Sequence, residues 1–175
     1  MRKTILFLAA STIMAACNNE KKETNEGPDT VSVKMPYTAA YSASFSLGNP
    51  DYATKIVQGS WKDWEENKLD NMKNWLADTV IAFHADNSFV KGSDSLMARW
   101  KRDRANYTSV IDSVDAVIPV YSTDKKENWV LVWAREINTN KEGKTDTAAF
   151  METWRINKDG KADFLLQYNR ATRKQ

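Results

Sequence analysis

The chain has 175 residues, with 25 Lys and Arg against 23 Asp and Glu, one His and one Cys. That length suits one domain with a full core, and near-balanced charge without a Lys/Arg block argues against nucleic acid or an anionic membrane surface as partner. A lone cysteine excludes an internal disulfide framework, so packing by seven Trp, six Tyr and six Phe must hold the fold.

Arg2 and Lys3 precede an apolar run, Thr4 to Ala16, that is too short to span a bilayer and ends on the small residues Ala15 and Ala16 before Cys17. This arrangement resembles a bacterial lipoprotein signal over residues 1–17. The resemblance implies that Cys17 becomes the N-terminus, carries the lipids and anchors the chain to the bilayer of the cell envelope, at its periplasmic face or the cell surface. The alternative is a cleaved secretory signal with a free thiol. Loss of Arg2 and Lys3 leaves 23 basic and 23 acidic residues, which balance. Residues 18–36 read as a flexible tether, because Asn18 to Thr30 has almost no apolar side chain to bury. Its acidic and amide residues resemble the export tags of some Bacteroidetes-type surface lipoproteins, and equally suit an ordinary linker.

The folded part is expected over residues 37–175. Tyr41, Ala43, Phe45 and Leu47 alternate as in a strand or an extended lead-in, closed by Gly48-Asn49-Pro50. Asn49 suits an N-cap, Pro50 the first helical position and Asp51 the first turn, so a helix follows with Tyr52, Ile56, Val57, Ser60, Trp61 and Trp64 on one face. A short second helix is expected over Asp70 to Trp75, then a strand from Thr79 to His84, a turn at Asp86-Asn87 and a strand from Ser88 to Lys91. Gly92 and Ser93 open a third helix with Leu96, Met97, Trp100 and Tyr107 as its apolar stripe. Four strands complete the chain: Val110 to Tyr121, Trp129 to Ile137, Thr147 to Ile156 and Ala162 to Asn169, with Lys158-Asp159-Gly160 a hairpin signal between the last two. Helices followed by long antiparallel strands indicate an α+β layer fold, with the helices on one face of a curved sheet above a cavity.

Four stretches carry a resemblance: Trp64-Glu65-Glu66-Asn67-Lys68-Leu69-Asp70, Trp75-Leu76-Ala77-Asp78-Thr79-Val80, Gly92, and Trp154-Arg155-Ile156-Asn157-Lys158-Asp159-Gly160-Lys161. In order and spacing they resemble the nuclear transport factor 2-like, or SnoaL-like, superfamily of cone-shaped domains, over about Pro50 to Arg170. The superfamily hosts enzymes and inert binders alike. Resemblance to its ketosteroid isomerases places His84 where those enzymes keep a proton-shuttling carboxylate, and Glu152 where they keep a protonated acid that hydrogen-bonds the enolate oxygen. It places Ser60 where they have the oxyanion tyrosine; the phenol is lost, so steroid isomerisation is not expected. Asp78 matches an acid at the start of the first strand and reads as a helix-terminus or turn acceptor.

Strand periodicity puts Phe150, Glu152 and Trp154 on one face, with Trp129, Leu131 and Trp133 offered by the facing strand. Pockets of the superfamily are often lined from that strand, so the resemblance implies Trp133 as a lining residue, with Ser60, Trp64, Phe150 and Gln167 beside it. His84 could act as a base near neutral pH, and Glu152 in an apolar cavity would be pushed toward its neutral form. Together they are either a structural, ligand-orienting polar pair or an acid–base couple. With one histidine and no other cysteine, neither a metal nor a cofactor is expected, and there is no nucleophile elbow or phosphate-binding glycine loop. Two functions stay open: a non-catalytic module that holds a small apolar ligand or pairs through its sheet as a homodimer, and a cofactor-independent isomerase, dehydratase or cyclase. The first is favoured, since the catalytic pattern is partial.

Overall fold

A computed structural model of the chain describes residues 31–32 and 35–172. The leader and Cys17 lie outside the described residues, as does most of the expected tether. Where that tether is described it departs from expectation: β1 (Val31–Ser32) pairs antiparallel with β2 (Ser44–Leu47), placing Val31 opposite Phe45.

The first helical stretch opens as its sequence requires. Asn49 caps α1 (Pro50–Ile56), its side-chain oxygen accepting from the Asp51 N–H at 2.9 Å. The stretch does not continue as regular α-helix. Val57–Lys62 is a π-helix, followed by α2 (Asp63–Glu65). The Asp63 N–H reaches back five residues to the Gln58 carbonyl, and Ser60 Oγ donates to the Ile56 carbonyl at 2.7 Å. Gly59 lies within the π-helix, where the backbone comes close to Trp75. A Cβ there would sit 2.1 Å from Trp75 Nε1, so only glycine lets the helix lie against that indole. A 3₁₀ turn, Leu69–Asn74, then leads into the sheet.

The remaining elements are β3 (Leu76–Phe83), β4 (Phe89–Lys91), α3 (Ser93–Arg104), β5 (Tyr107–Ser122), β6 (Glu127–Asn140), β7 (Thr145–Ile156) and β8 (Ala162–Ala171). Tyr107, expected on the third helix, instead opens β5, and the long strands extend beyond their sequence-derived ends. Asp78, expected as a turn or helix-terminus acceptor, is an exposed position within β3.

The eight strands form one sheet in the order β1-β2-β5-β6-β7-β8-β3-β4. Its pairs are antiparallel except β3 with β8, so the sheet is mixed. The core lies between the sheet and the helical segments. Ile56, Met72, Leu76, Val80, Leu96, Val130, Val132, Trp154 and Leu165 are essentially without solvent contact there. On β6 the buried set is Val130, Val132, Ala134 and Glu136, so Trp129, Leu131 and Trp133 occupy the opposite, outer face. This reverses the expected parity. Both alternating sets of β6 are apolar, and a one-residue change of parity exchanges the faces completely.

Candidate functional site

Glu152 is the organising residue. On β7 it alternates with Phe150 and Trp154 on the inner face, and in register it lies opposite Val132 of β6 and Gln167 of β8. That register delivers the Gln167 amide, whose Nε2 donates to Glu152 Oε1 at 2.8 Å. Two indoles donate to Oε2: Trp154 Nε1 at 2.9 Å, two residues along the same face, and Trp61 Nε1 at 3.1 Å, from the π-helix. Burial raises the Glu152 pKa, and these hydrogen bonds oppose the rise.

His84 stands just past the end of β3, where its backbone closes the turn: its N–H donates to Ser88 O at 2.9 Å and its carbonyl accepts from Asn87 N–H at 3.0 Å. The imidazole packs edge-on to Trp100 of α3, with ring centroids 6.5 Å apart. Nε2 is buried and has no hydrogen-bond partner among the described residues. Desolvation, assisted by the Arg99 charge, lowers the His84 pKa, so the ring is neutral near pH 7. Arg99 itself is engaged by Asp86 at 2.8 Å and Asp103 at 3.3 Å.

Two further acids face inward from neighbouring strands. Glu136 of β6 is buried, and its pKa is raised by that burial; it accepts from Asn138 Nδ2 at 2.6 Å. Directly across the ladder lies Asp112 of β5, with both carboxyl oxygens unpartnered. Desolvation first, then the Glu136 charge, pushes the Asp112 pKa up to about 8. Arg104 nearby donates to the carbonyls of Trp64, Glu65 and Tyr107, pinning the end of α2 to the start of β5.

His84 and Glu152 line one cavity of about 420 Å³. Ser60, Trp64, Phe150 and Gln167 line it too. Trp133 does not. It lies on the outer face beside Met151 and Tyr168, for the parity reason given above. The Ser60 hydroxyl is turned to its own helix, so it does not replace the lost phenol.

No family model matches the sequence, and no curated protein matches it. Solved structures do match. An epoxide hydrolase from Mycobacterium tuberculosis, described as LEH-like, superposes with a TM-score of 0.56 at 11% identity, over 69% of this chain and 84% of its own. The domain has the nuclear transport factor 2-like fold. A second M. tuberculosis protein, solved in complex with estradiol-17beta-hemisuccinate, gives 0.55 at 17% identity, over 67% of this chain and 92% of its own. A nuclear transport factor 2-like protein of unknown function from Burkholderia pseudomallei gives 0.54 at 18%, over 69% and 91%.

Within this nuclear transport factor 2-like domain, sequence reasoning missed Glu136, Asp112 and Arg99. Glu136 carried a usable signal. Arg135 beside it pairs with Asp115 at 2.8 Å on exposed surface, and a charged pair at that parity marks the wet face, leaving Glu136 inward. Arg99 of α3, a charged residue beside the apolar-stripe position Trp100, also lines the cavity.

Proposed function

We propose that this chain is a lipid-anchored envelope protein whose domain holds a small molecule in the cavity without catalysis. The observation that carries this is the Glu152 site: donors from two strands and the π-helix fix its carboxylate, making it a positioned polar anchor instead of a mobile proton carrier. The protein of this fold solved in complex with estradiol-17beta-hemisuccinate supports a small-molecule role. The leader and Cys17 support the anchor.

A library of small amphipathic molecules, read by thermal shift and by the ring NMR signals of the single histidine, tests the binding reading. A ligand present at 100 times its Kd should add about 2.7 kcal/mol of stability, and true hits should move the His84 signals while remaining chemically unchanged. In the same spectra His84 titrates below its ordinary value of about 6.5, because burial disfavours the cation. A library in which no stabilising molecule moves His84 would sink the cavity as the binding site.

A second reading, cofactor-free proton transfer of isomerase, dehydratase or cyclase type, has one observation in its favour: neutral His84 and Glu152 share the cavity. Conversion of a hit that His84→Ala abolishes would replace the binding reading with this one.

We also propose a second copy of the chain as partner for the outer sheet face. Ile118, Met151 and Tyr168 are exposed there beside Trp133 and Trp129, more apolar surface than single scattered residues would give. Light scattering on the chain without its leader should give twice the monomer mass, and Trp133→Glu should halve it. A monomeric wild type would remove this partner.

A further inference from the structure

We propose that the cavity takes an organic cation, an ammonium head seated between Trp61 and Trp100 with Glu136 and Glu152 as its countercharge. This rests on the binding reading above. The charges lining the cavity do not balance. Four acids line it, Asp86, Asp103, Glu136 and Glu152, against the single basic chain Arg99. Arg99 is committed to Asp86 and Asp103. Among the described residues, neither Glu136 nor Glu152 has a basic side chain within ion-pair distance. The donors on Glu152 are two indoles and an amide, and the donor on Glu136 is an amide, all neutral. Arg104, behind Glu136, is held by backbone carbonyls.

Buried carboxylates without countercharge are costly, and protonation is one remedy. A cation is the other, and the walls suit it. Trp61 stands edge-on to Phe150 at 5.8 Å and Trp100 lies 6.3 Å from Trp154, so aromatic rings bound the site on more than one side. Their π faces attract ammonium groups most strongly where water is excluded. An anion would meet like charge here, and a neutral guest would leave both carboxylates unmatched. His84 is an independent sign of a guest: it is 8% exposed and lines the cavity, and its buried Nε2 has no hydrogen-bond partner among the described residues.

The test uses the full-length protein in a non-ionic detergent, with calorimetry and tryptophan fluorescence as readouts. Three probes of one shape are compared: choline, its uncharged carbon isostere 3,3-dimethylbutan-1-ol, and the anion 3,3-dimethylbutanoate. Choline should bind about tenfold more tightly than the alcohol, the ratio expected when a desolvated cation–π contact contributes about 1–2 kcal/mol. Glu136→Gln should remove most of that ratio, and Trp100→Leu, which leaves both acids in place, should reduce it if the first variant does not fold. Equal binding of choline and the alcohol, or preference for the anion, overturns the cation and leaves the binding reading intact. Failure of all three to bind also overturns it, and the binding reading then rests on the library screen alone.

Discussion

Gly59→Ala should lower the unfolding free energy by about 3 kcal/mol, although alanine favours helix over glycine by about 1 kcal/mol in an ordinary position. The new methyl would lie 2.1 Å from Trp75 Nε1, 2.3 Å from Cε2 and 2.7 Å from Cζ2. The ring has no free direction. Trp75 is 5% exposed, its far side meets Trp154 at 5.3 Å, and its carbonyl accepts from Ala162 N–H at 2.8 Å. Overpacking of this kind costs about 1–3 kcal/mol, and here a rigid bicycle must move as a whole. Ser60→Ala, one residue on, is the control. It exchanges one hydroxyl-to-carbonyl bond for better helix propensity and should change stability by less than about 1 kcal/mol. Urea unfolding with unchanged slope would measure both. A Gly59→Ala protein as stable as wild type would show that the helix does not lie on the indole.

Asp112→Asn should stabilise the fold, and the gain should grow with pH. The carboxyl is raised in the folded state to about 8 from the model-compound value of 3.8. Below about pH 4 both states hold the proton and the group is neutral in each, so the variant and the wild type should match. Between about pH 4 and 8 the unfolded chain releases the proton and the folded one keeps it, so wild-type stability falls relative to the variant. Above about pH 8 the difference is constant. The full shift would exceed 5 kcal/mol at about 1.4 kcal/mol per unit; partial exposure and screening reduce the expected gain to about 2 kcal/mol. Asparagine also has an N–H₂ to offer Glu136 across the ladder, which adds to the gain. Thermal unfolding at pH 4 and pH 8 would read it. A variant less stable than wild type at pH 8 would mean that Asp112 is ionised and paired.

The parts of the fold legible in the sequence were those governed by local chemistry. Asn49 and Pro50 announced a helix start, and the Asn157–Gly160 hairpin formed with Asn157 Oδ1 accepting from the N–H groups of Asp159 and Lys161. The shared face of Phe150, Glu152 and Trp154 followed from period-two geometry, and the family resemblance singled out Glu152 on it. What failed to show depended on partners distant in the chain. No periodicity in Val57–Lys62 reveals a π-helix, or that Gly59 within it lies against an indole sixteen positions further on. The apolar residues of β6 did not decide its parity, because Trp-Leu-Trp and Val-Val-Ala are both credible core faces; the charge of Arg135, at the parity of Trp133, was the local clue. The helices above the sheet select the slimmer set, leaving Trp133 outside. Asp112 carries no local signal of its burial; desolvation, and after it the Glu136 charge across the ladder, makes it unusual.

The two indoles that donate to Glu152 have an optical consequence. An indole whose N–H points at a carboxylate feels a field that shifts its emission, and the field changes whenever that carboxylate gains a proton or a countercharge. Two of the seven tryptophans, Trp61 and Trp154, are wired in this way to a single acid. The domain thus carries a built-in dye at the floor of its cavity, and its colour reports the charge state of that floor without any label being attached.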